Sequence, residues 1–572
     1  MSVNVIIDRL PKHLVPFIID QDYSRYTAQD QAVWRAVMKQ NILFLKNIAH
    51  SSYLDGLKKT GISLDSIPSI EEMNRSLEKI GWAAVTVDGF IPPSAFMEFQ
   101  KHKILVIAAD IRSANHIEYT PAPDIIHEAA GHAPIIADPE YAEYLRYFGE
   151  IGSKAFSSKS DYRIYEAIRH LSILKADPTS KNSAIKKAEQ LLTKKIENAE
   201  IPSEMSLIRN LHWWTVEYGL IGNIKDPKIY GAGLLSSIGE SKGALKNSVS
   251  KIPYSIDAKD YSFDITAPQP QLFVTPDFKH LTNVLDEFAN QMALRTGGLD
   301  GVLKAIESDA PATLVYSSGL QISGTFTNVI IHKSSPIYIN TAGPTTLNYD
   351  DKILDGEGPE KHNHGFGSPI GKIKGTLVPT RFLSDDALSN LGIQNGILSS
   401  FEFESGIKVK GELQSVVRRN GKLILMSFIN CTVKHKNKIL FDPNWGQYDM
   451  AVGENIVSAF SGPADSDAFG TTYDPPREKT HQIVYDDLTL NLHKLYEKVR
   501  EIREKRKNLN DLPHIWNQLI KNYPDEWLLP IEIYELSKSD NNLTGLSKDA
   551  KNFLKNKLSI PGSSSIISNI LQ

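Results

Sequence analysis

His127 and His132 stand five residues apart in the segment Asp124-Ile125-Ile126-His127-Glu128-Ala129-Ala130-Gly131-His132. Neutral imidazole is a common ligand for divalent transition metals. A zinc peptidase would place its second histidine four residues after the first, on the same helical face; here that position is Gly131. On an ideal α-helix, five residues turn the chain by about 140° from alignment, so the two rings diverge unless the helix ends or distorts near Gly131. A carboxylate from a distant segment, such as Glu217 in Trp213-Trp214-Thr215-Val216-Glu217-Tyr218-Gly219, would complete two histidines and one acid. That set holds Fe(II) on one face and leaves the other open to oxygen and substrate. The spacing alone is weak evidence, since two nearby histidines in a soluble protein are more often capping or surface residues.

The elements that must position these residues are mostly helical in the first half. Residues 27–47 carry apolar side chains at three- and four-residue spacing, and Ser69 with Glu72 opens another helix as a capping box. Asp138-Pro139 reads as a helix start, followed by an aromatic stripe of Tyr141, Tyr144 and Phe148 that packs in the core. Residues 186–200 form a lysine-laced, solvated helix face, and a further helix is expected over 278–294. Gly297-Gly298 punctuates the chain and marks a domain boundary.

After residue 310 the pattern becomes short and β-rich. Asn420-Gly421 between two alternating runs predicts a hairpin, while 356–367 and 462–474 read as loops. The tail returns to helix: Leu488, Leu492, Leu495, Val499 and Ile502 form a stripe that packs on the rest of the protein, and Arg503 to Lys507 reads as a solvated helix end. Three parts are therefore expected: a mostly α-helical domain over 1–298, a β-rich domain over 299–482 and a helical region over 483–572.

With 572 residues there is ample chain for several cores. The net charge of -4 carries no cationic excess, so nucleic acid is not expected as a partner. Cys431 is the sole cysteine, which excludes an internal disulfide framework or a CxxC metal knuckle and suits a reducing, cytoplasmic compartment. The first 17 residues do not read as a signal peptide, and the apolar run 104–109 is too short to span a bilayer. No membrane association is expected.

Three segments together, the His127–His132 stretch, Thr215-Val216-Glu217-Tyr218-Gly219 and Tyr230-Gly231-Ala232-Gly233-Leu234-Leu235-Ser236-Ser237, carry a family resemblance. They are similar to the catalytic core of the pterin-dependent aromatic amino acid hydroxylases, which include phenylalanine, tyrosine and tryptophan hydroxylases. The similarity runs from about Asp22 to about Thr296 and includes Tyr26-Thr27, Trp34 and Tyr53-Leu54-Asp55-Gly56-Leu57. It begins so early that no regulatory domain is expected ahead of it.

The resemblance implies a domain of the aromatic amino acid hydroxylase fold and a monooxygenase that uses Fe(II), tetrahydrobiopterin or a related tetrahydropterin, and O2. It implies His127, His132 and Glu217 as iron ligands and Arg112 as the clamp for the substrate carboxylate, with Asp124 as its partner. Ser236 falls near iron and substrate, in hydrogen-bonding reach of His127 or its neighbour, where Gly231 and Gly233 allow close backbone approach. Phe96 matches the residue that stacks on the pterin, and Glu128 the acid near pterin and iron-bound water. Pro123 would pack on the substrate ring, with Thr120 near its polar end. Trp213 matches an indole of the phenylalanine and tyrosine hydroxylase pocket, which tilts the expected substrate toward phenylalanine. The chain departs from the family pattern at Ala122, Ala129-Ala130 and His212. The expected reaction is ring hydroxylation of a free aromatic amino acid, phenylalanine to tyrosine. The alternatives are a tryptophan or tyrosine hydroxylase, and a regulatory protein that binds amino acid or pterin without turnover. The C-terminal half has no counterpart in the resemblance and is assigned no function; a homodimer surface, a shield over the active site, a protein-binding module and a second binding site are all open.

Overall fold

A computed structural model describes residues 3–117, 123–177, 179–198, 201–264, 268–471, 484–558 and 564–571. The first half is largely α-helical, a β-rich region with curled sheets follows, and helices close the chain. The expected boundary at 482 lies outside the described residues.

Local signals account for the helices that frame the first half. Thr27 caps helix Ala28–Leu45 through a reciprocal box with Asp30: the threonine hydroxyl accepts from the Asp30 N–H, and the Asp30 carboxylate accepts from the Thr27 N–H. This helix runs through the core, burying Trp34, Val37 and Met38. Ser69 caps helix Ile70–Leu77 by accepting from the Glu72 N–H. Asp138 caps helix Pro139–Gly152, whose buried face carries Tyr141, Tyr144, Leu145 and Phe148. The apolar run 104–109 is a buried strand, Ile104–Ala108, which pairs in parallel with Ala83–Val87. Among the described residues, no helix is long and apolar enough to cross a membrane.

The single helix expected over 278–294 is two, Phe278–Ala289 and Ala293–Thr296. Gly297 then takes φ 54, and a third helix, Gly298–Glu307, packs on the β-rich region. Buried Glu204 fastens this junction, accepting from the Ala293 N–H at 2.8 Å and pairing with Lys304 at 3.1 Å.

One sheet of the β-rich region runs in the order Lys352–Ile353, Ser335–Tyr349, Gln321–His332, Pro311–Tyr316, Ile456–Ser461, with Gly367–Pro369 also paired to Ser335–Tyr349. The other is built on the hairpin Ile407–Arg419/Lys422–His435. Asn420 and Gly421 form its turn with φ of 48 and 73, the left-handed geometry that suits a two-residue hairpin.

In the tail, helix Asp487–Lys505 packs on helix Ala28–Leu45 and buries Leu495, Val499 and Ile502, while Leu488 of the expected stripe is exposed. Of the solvated helix end expected over Arg503 to Lys507, residues 504–507 are exposed and Arg503 departs. Arg503 pairs with Glu532 at 2.8 Å and with Glu535 at 3.1 Å, and Glu532 also binds Arg35 of helix Ala28–Leu45 at 2.9 Å. A buried carboxylate requires compensation, and two guanidinium groups supply it here.

Candidate metal centre and ligand cavity

The five-residue histidine spacing works because His127–His132 is one turn of π-helix. In a π-turn the backbone bonds run from i to i+5, so residues five apart stack on one face. The Ala133 N–H donates to the Glu128 carbonyl in this pattern. The imidazole Nε2 atoms of His127 and His132 then lie 3.3 Å apart. Glu217 arrives by the same device. Trp213–Glu217 is a second π-turn, closed by the Tyr218 N–H donating to the Trp213 carbonyl at 2.8 Å. Its carboxylate faces both rings, with Oε2 3.2 Å from His127 Nε2 and Oε1 3.3 Å from His132 Nε2.

Close backbone packing holds these turns together. A Cβ on Gly131 would lie 2.6 Å from the Ala232 carbonyl oxygen, and one on Gly231 would lie 2.5 Å from that of Glu217. Only glycine lets the 231–235 segment approach both π-turns this closely. That segment delivers Ser236, whose hydroxyl lies 3.0 Å from His127 Nδ1 and 3.3 Å from the Gly233 carbonyl. The carbonyl can only accept, so the hydroxyl donates to it and accepts from His127 Nδ1–H. With the proton on Nδ1, the His127 Nε2 lone pair is free to ligate a metal beside Glu217 and His132.

Two ring nitrogens and a carboxylate oxygen pair thus converge at 3.2–3.3 Å from one another. Such an arrangement calls for protons or a cation at the centre, and two imidazoles with one carboxylate suit a divalent transition metal. Glu128 is also near, with Oε2 3.7 Å from His132 Nε2. Its environment differs from that of Glu217. Burial raises the Glu128 carboxyl to about 8, with Glu217 and Asp124 adding to the rise against His132. Burial would also raise Glu217, but His132 and His127 outweigh it and hold that carboxyl well below the usual range. Glu217, engaged by both rings, is therefore the better anionic ligand, and one buried Glu128 oxygen has no hydrogen-bond partner.

Arg112 is buried beside this centre. Its Nε and Nη2 each donate to an Asp124 oxygen at 2.8 Å, and Nη1 donates to the Ser236 carbonyl at 3.2 Å. A guanidinium has five N–H donors, so these three leave one on each terminal nitrogen for a further acceptor. Asp124 also accepts from the His127 N–H, tying the clamp to the π-turn. Burial alone would raise the Asp124 carboxyl, but the Arg112 charge and hydrogen bonds bring it below its ordinary value.

A cavity of about 250 Å³ opens on these groups, with Phe96, Pro123 and Trp213 in its wall. Trp213 is stacked between Tyr218, at 4.6 Å between ring centroids, and Phe263, at 4.2 Å. Phe96 meets His212 edge-on at 5.7 Å. The structure therefore brings together Phe96, Arg112, Pro123, Asp124, His127, Glu128, His132, Trp213, Glu217 and Ser236. Thr120 and the neighbouring Ala122 lie outside the described residues.

The N-terminal half matches the biopterin-dependent aromatic amino acid hydroxylase family, over residues 20–168 and 197–296. Phenylalanine-4-hydroxylase of Mesorhizobium japonicum is 27% identical over 269 residues, which cover 46% of this chain and 81% of that protein. The phenylalanine-4-hydroxylase of Pseudomonas aeruginosa is 27% identical over 270 residues, covering 47% and 86%. Among solved structures, Chromobacterium violaceum phenylalanine hydroxylase with bound iron(III) and 7,8-dihydrobiopterin aligns at 24% identity and TM-score 0.38, over 48% of this chain and 86% of that one. The family match omits residues 169–196, which hold the end of helix Lys159–Ala176 and most of helix Asn182–Glu197. These two helices pack on each other through Leu171, Ala188 and Leu192.

Several cavity residues were given no site role from sequence, His212 being noted there only as a departure from the family pattern. His212 is buried and its imidazole is pushed down to about 4 by burial, with Glu217 opposing. Tyr218 donates to Glu240 at 2.5 Å; burial raises that carboxyl despite the hydrogen bond. Tyr218 could have been found, because it directly follows Glu217. Phe263 and Glu240 carry no local signal and reach the site only through the fold.

Proposed function

We propose that this chain hydroxylates the ring of a free aromatic L-amino acid, phenylalanine to tyrosine, using Fe(II), a tetrahydropterin and O2. The observation that carries this reading is the convergence of His127, His132 and Glu217 at the end of an aromatic-walled cavity that also contains a buried arginine with spare donors. The phenylalanine-4-hydroxylases to which the chain is similar support the choice of substrate.

In this reading His127, His132 and Glu217 hold the iron, and Ser236 holds His127 in its metal-binding tautomer. Iron and tetrahydropterin, when bound, supply the two-electron activation of O2 that the side chains cannot perform. Arg112 receives the amino acid carboxylate on its remaining N–H groups, kept in position by Asp124. Trp213, stacked on Tyr218 and Phe263, and Pro123 form the wall against which the substrate ring lies. Thr120 is assigned the polar end of the substrate by resemblance. Phe96 offers its ring to the pterin, and Glu128 faces the same space. The aromatic wall keeps bulk water from the reacting centre. Residues 1–298 are the catalytic unit in this scheme. Its setting is the reducing cytoplasm, consistent with Cys431 as a buried free thiol.

Product analysis tests the proposal. Purified protein is supplied with Fe(II), tetrahydropterin and O2, and offered phenylalanine, tyrosine and tryptophan separately. Tyrosine formed from phenylalanine, dependent on both iron and pterin, is the expected result. Product from tryptophan or tyrosine alone would reassign the substrate. Full iron loading without product from any of the three would replace the enzyme with a binding protein.

A further inference from the structure

The β-rich region contains a second convergence of metal-ligating groups, sharing no residue with the first. Glu357 and His362 lie in the connection between strands Lys352–Ile353 and Gly367–Pro369. Both are anchored to strand Ser335–Tyr349: the Glu357 carbonyl accepts from the Leu347 N–H at 3.1 Å, and the His362 carbonyl accepts from the Thr345 N–H at 3.1 Å. Asp449 comes from strand Tyr448–Ala451, directly opposite Ser427. The three side chains are at least nine-tenths buried, with residue exposures of 8% for Glu357, 8% for His362 and 3% for Asp449.

Their polar atoms face one another. His362 Nε2 is 2.8 Å from Glu357 Oε2 and 3.8 Å from Asp449 Oδ2. Ser427 and Gln447 hold Asp449 through Oδ1, at 2.5 and 2.8 Å. They orient the carboxylate so that Oδ2 is aimed into the cluster, where it accepts no well-directed hydrogen bond. The charge there is met by Lys361, whose ammonium lies 2.8 Å from Asp449 Oδ2 and 2.6 Å from Glu357 Oε1. The Lys361 side chain is 30% exposed, so its head can withdraw to solvent without leaving the chain.

We propose that Glu357, His362 and Asp449 form a structural site for a borderline divalent metal, of which Zn(II) is the type, and that Lys361 is its internal competitor. One imidazole and two carboxylates suit such an ion, and both carboxylates are compensated when it replaces the ammonium. The ion would clip the 354–366 connection to the strand that carries Asp449. An ordinary ion-pair network is the competing account, and it makes opposite predictions for Lys361.

Zn(II) alone is the probe, titrated into metal-free full-length protein by equilibrium dialysis with elemental analysis. Wild type is expected to bind two equivalents. His362→Gln and Asp449→Asn are each expected to lose one, along with part of the Zn(II)-dependent rise in melting temperature. His127→Ala should lose the other equivalent and identifies which centre remains. Asp449→Asn keeps the volume and the Ser427 contact, so it decides the matter if His362→Gln does not fold. Lys361→Met is expected to bind the second equivalent more tightly than wild type. Bound Zn(II) that survives both His362→Gln and Asp449→Asn undiminished, whether one equivalent or two, or weaker binding by Lys361→Met would overturn the proposal.

Discussion

Ser236→Ala isolates one contribution to the N-terminal metal centre. The substitution removes only the hydroxyl, leaving the backbone carbonyl that accepts from Arg112 at 3.2 Å. What is lost is the acceptor 3.0 Å from His127 Nδ1. A net hydrogen bond is worth about 1 kcal/mol to folding. In a domain of this size that corresponds to a fall of about 2–4 °C in Tm. The effect on metal binding is expected to be larger. Loss of a hydrogen bond that orients a ligand typically costs about 10–100-fold in metal affinity, or about 1.4–2.8 kcal/mol at 1.4 kcal/mol per tenfold. The excess arises because, without Ser236, His127 can place its proton on Nε2, the atom that faces Glu217 and His132. Co(II) affinity, measured by chelator competition, should therefore fall by about 10–100-fold while Tm changes little. Co(II) affinity within twofold of wild type would refute the tautomer argument. A large fall in Tm with unchanged affinity would show that the serine serves packing instead.

Three further outcomes are expected. Arg112→Lys keeps a charge beside Asp124 but loses the planar fork, so KM for the amino acid should rise about 10–100-fold, as expected for one charge-assisted hydrogen bond, with kcat changed far less; an unchanged KM would remove Arg112 from substrate binding. Gly231→Ala would force a Cβ to 2.5 Å from the Glu217 carbonyl oxygen, costing about 1–3 kcal/mol and reducing metal loading, whereas Gly243→Ala, with nothing within 4 Å, should do neither in the same unfolding and dialysis measurements. Burial would raise the Glu532 carboxyl, but Arg35 and Arg503 hold it below its ordinary value. A depressed folded pKa contributes stability above the unfolded value of about 4.3, and that stability is lost as pH falls through the folded pKa. Acid urea-unfolding series should therefore show the tail weakening below about pH 4.3, and Glu532→Gln should remove that pH dependence and cost about 3–5 kcal/mol by leaving the buried Arg35 guanidinium without its carboxylate, while Arg503 keeps Glu535.

What could be read from the chain was mostly local. Thr27, Ser69 and Asp138 satisfy N–H groups two or three residues away, so these helix starts depend on neighbours in sequence. Asn420-Gly421 similarly determines its own hairpin, because the left-handed turn belongs to those two residues. The candidate metal ligands His127, His132 and Glu217 could be named before their geometry was known, but through the family resemblance, because the histidine spacing alone favoured capping or surface residues. Arg503 was misread for the converse reason. A basic run at a helix end resembles a solvated face, and its partner Glu532 lies 29 residues later, beside Arg35 from the opposite end of the chain.

By itself, then, the sequence determined which side chains could ligate a metal, where helices begin, where the hairpin turns, and that a β-rich region follows a helical one. The tertiary structure decided that two π-turns aim His127, His132 and Glu217 at a common point, which a regular α-helix could not do at that spacing. It also decided that Phe263 stacks on Trp213 and that Asp449 meets His362. Caps and turns are satisfied by hydrogen bonds spanning a few residues, so a short window of sequence contains both partners. Convergent sites depend on packing between segments distant in the chain, and only the folded core brings those segments within reach.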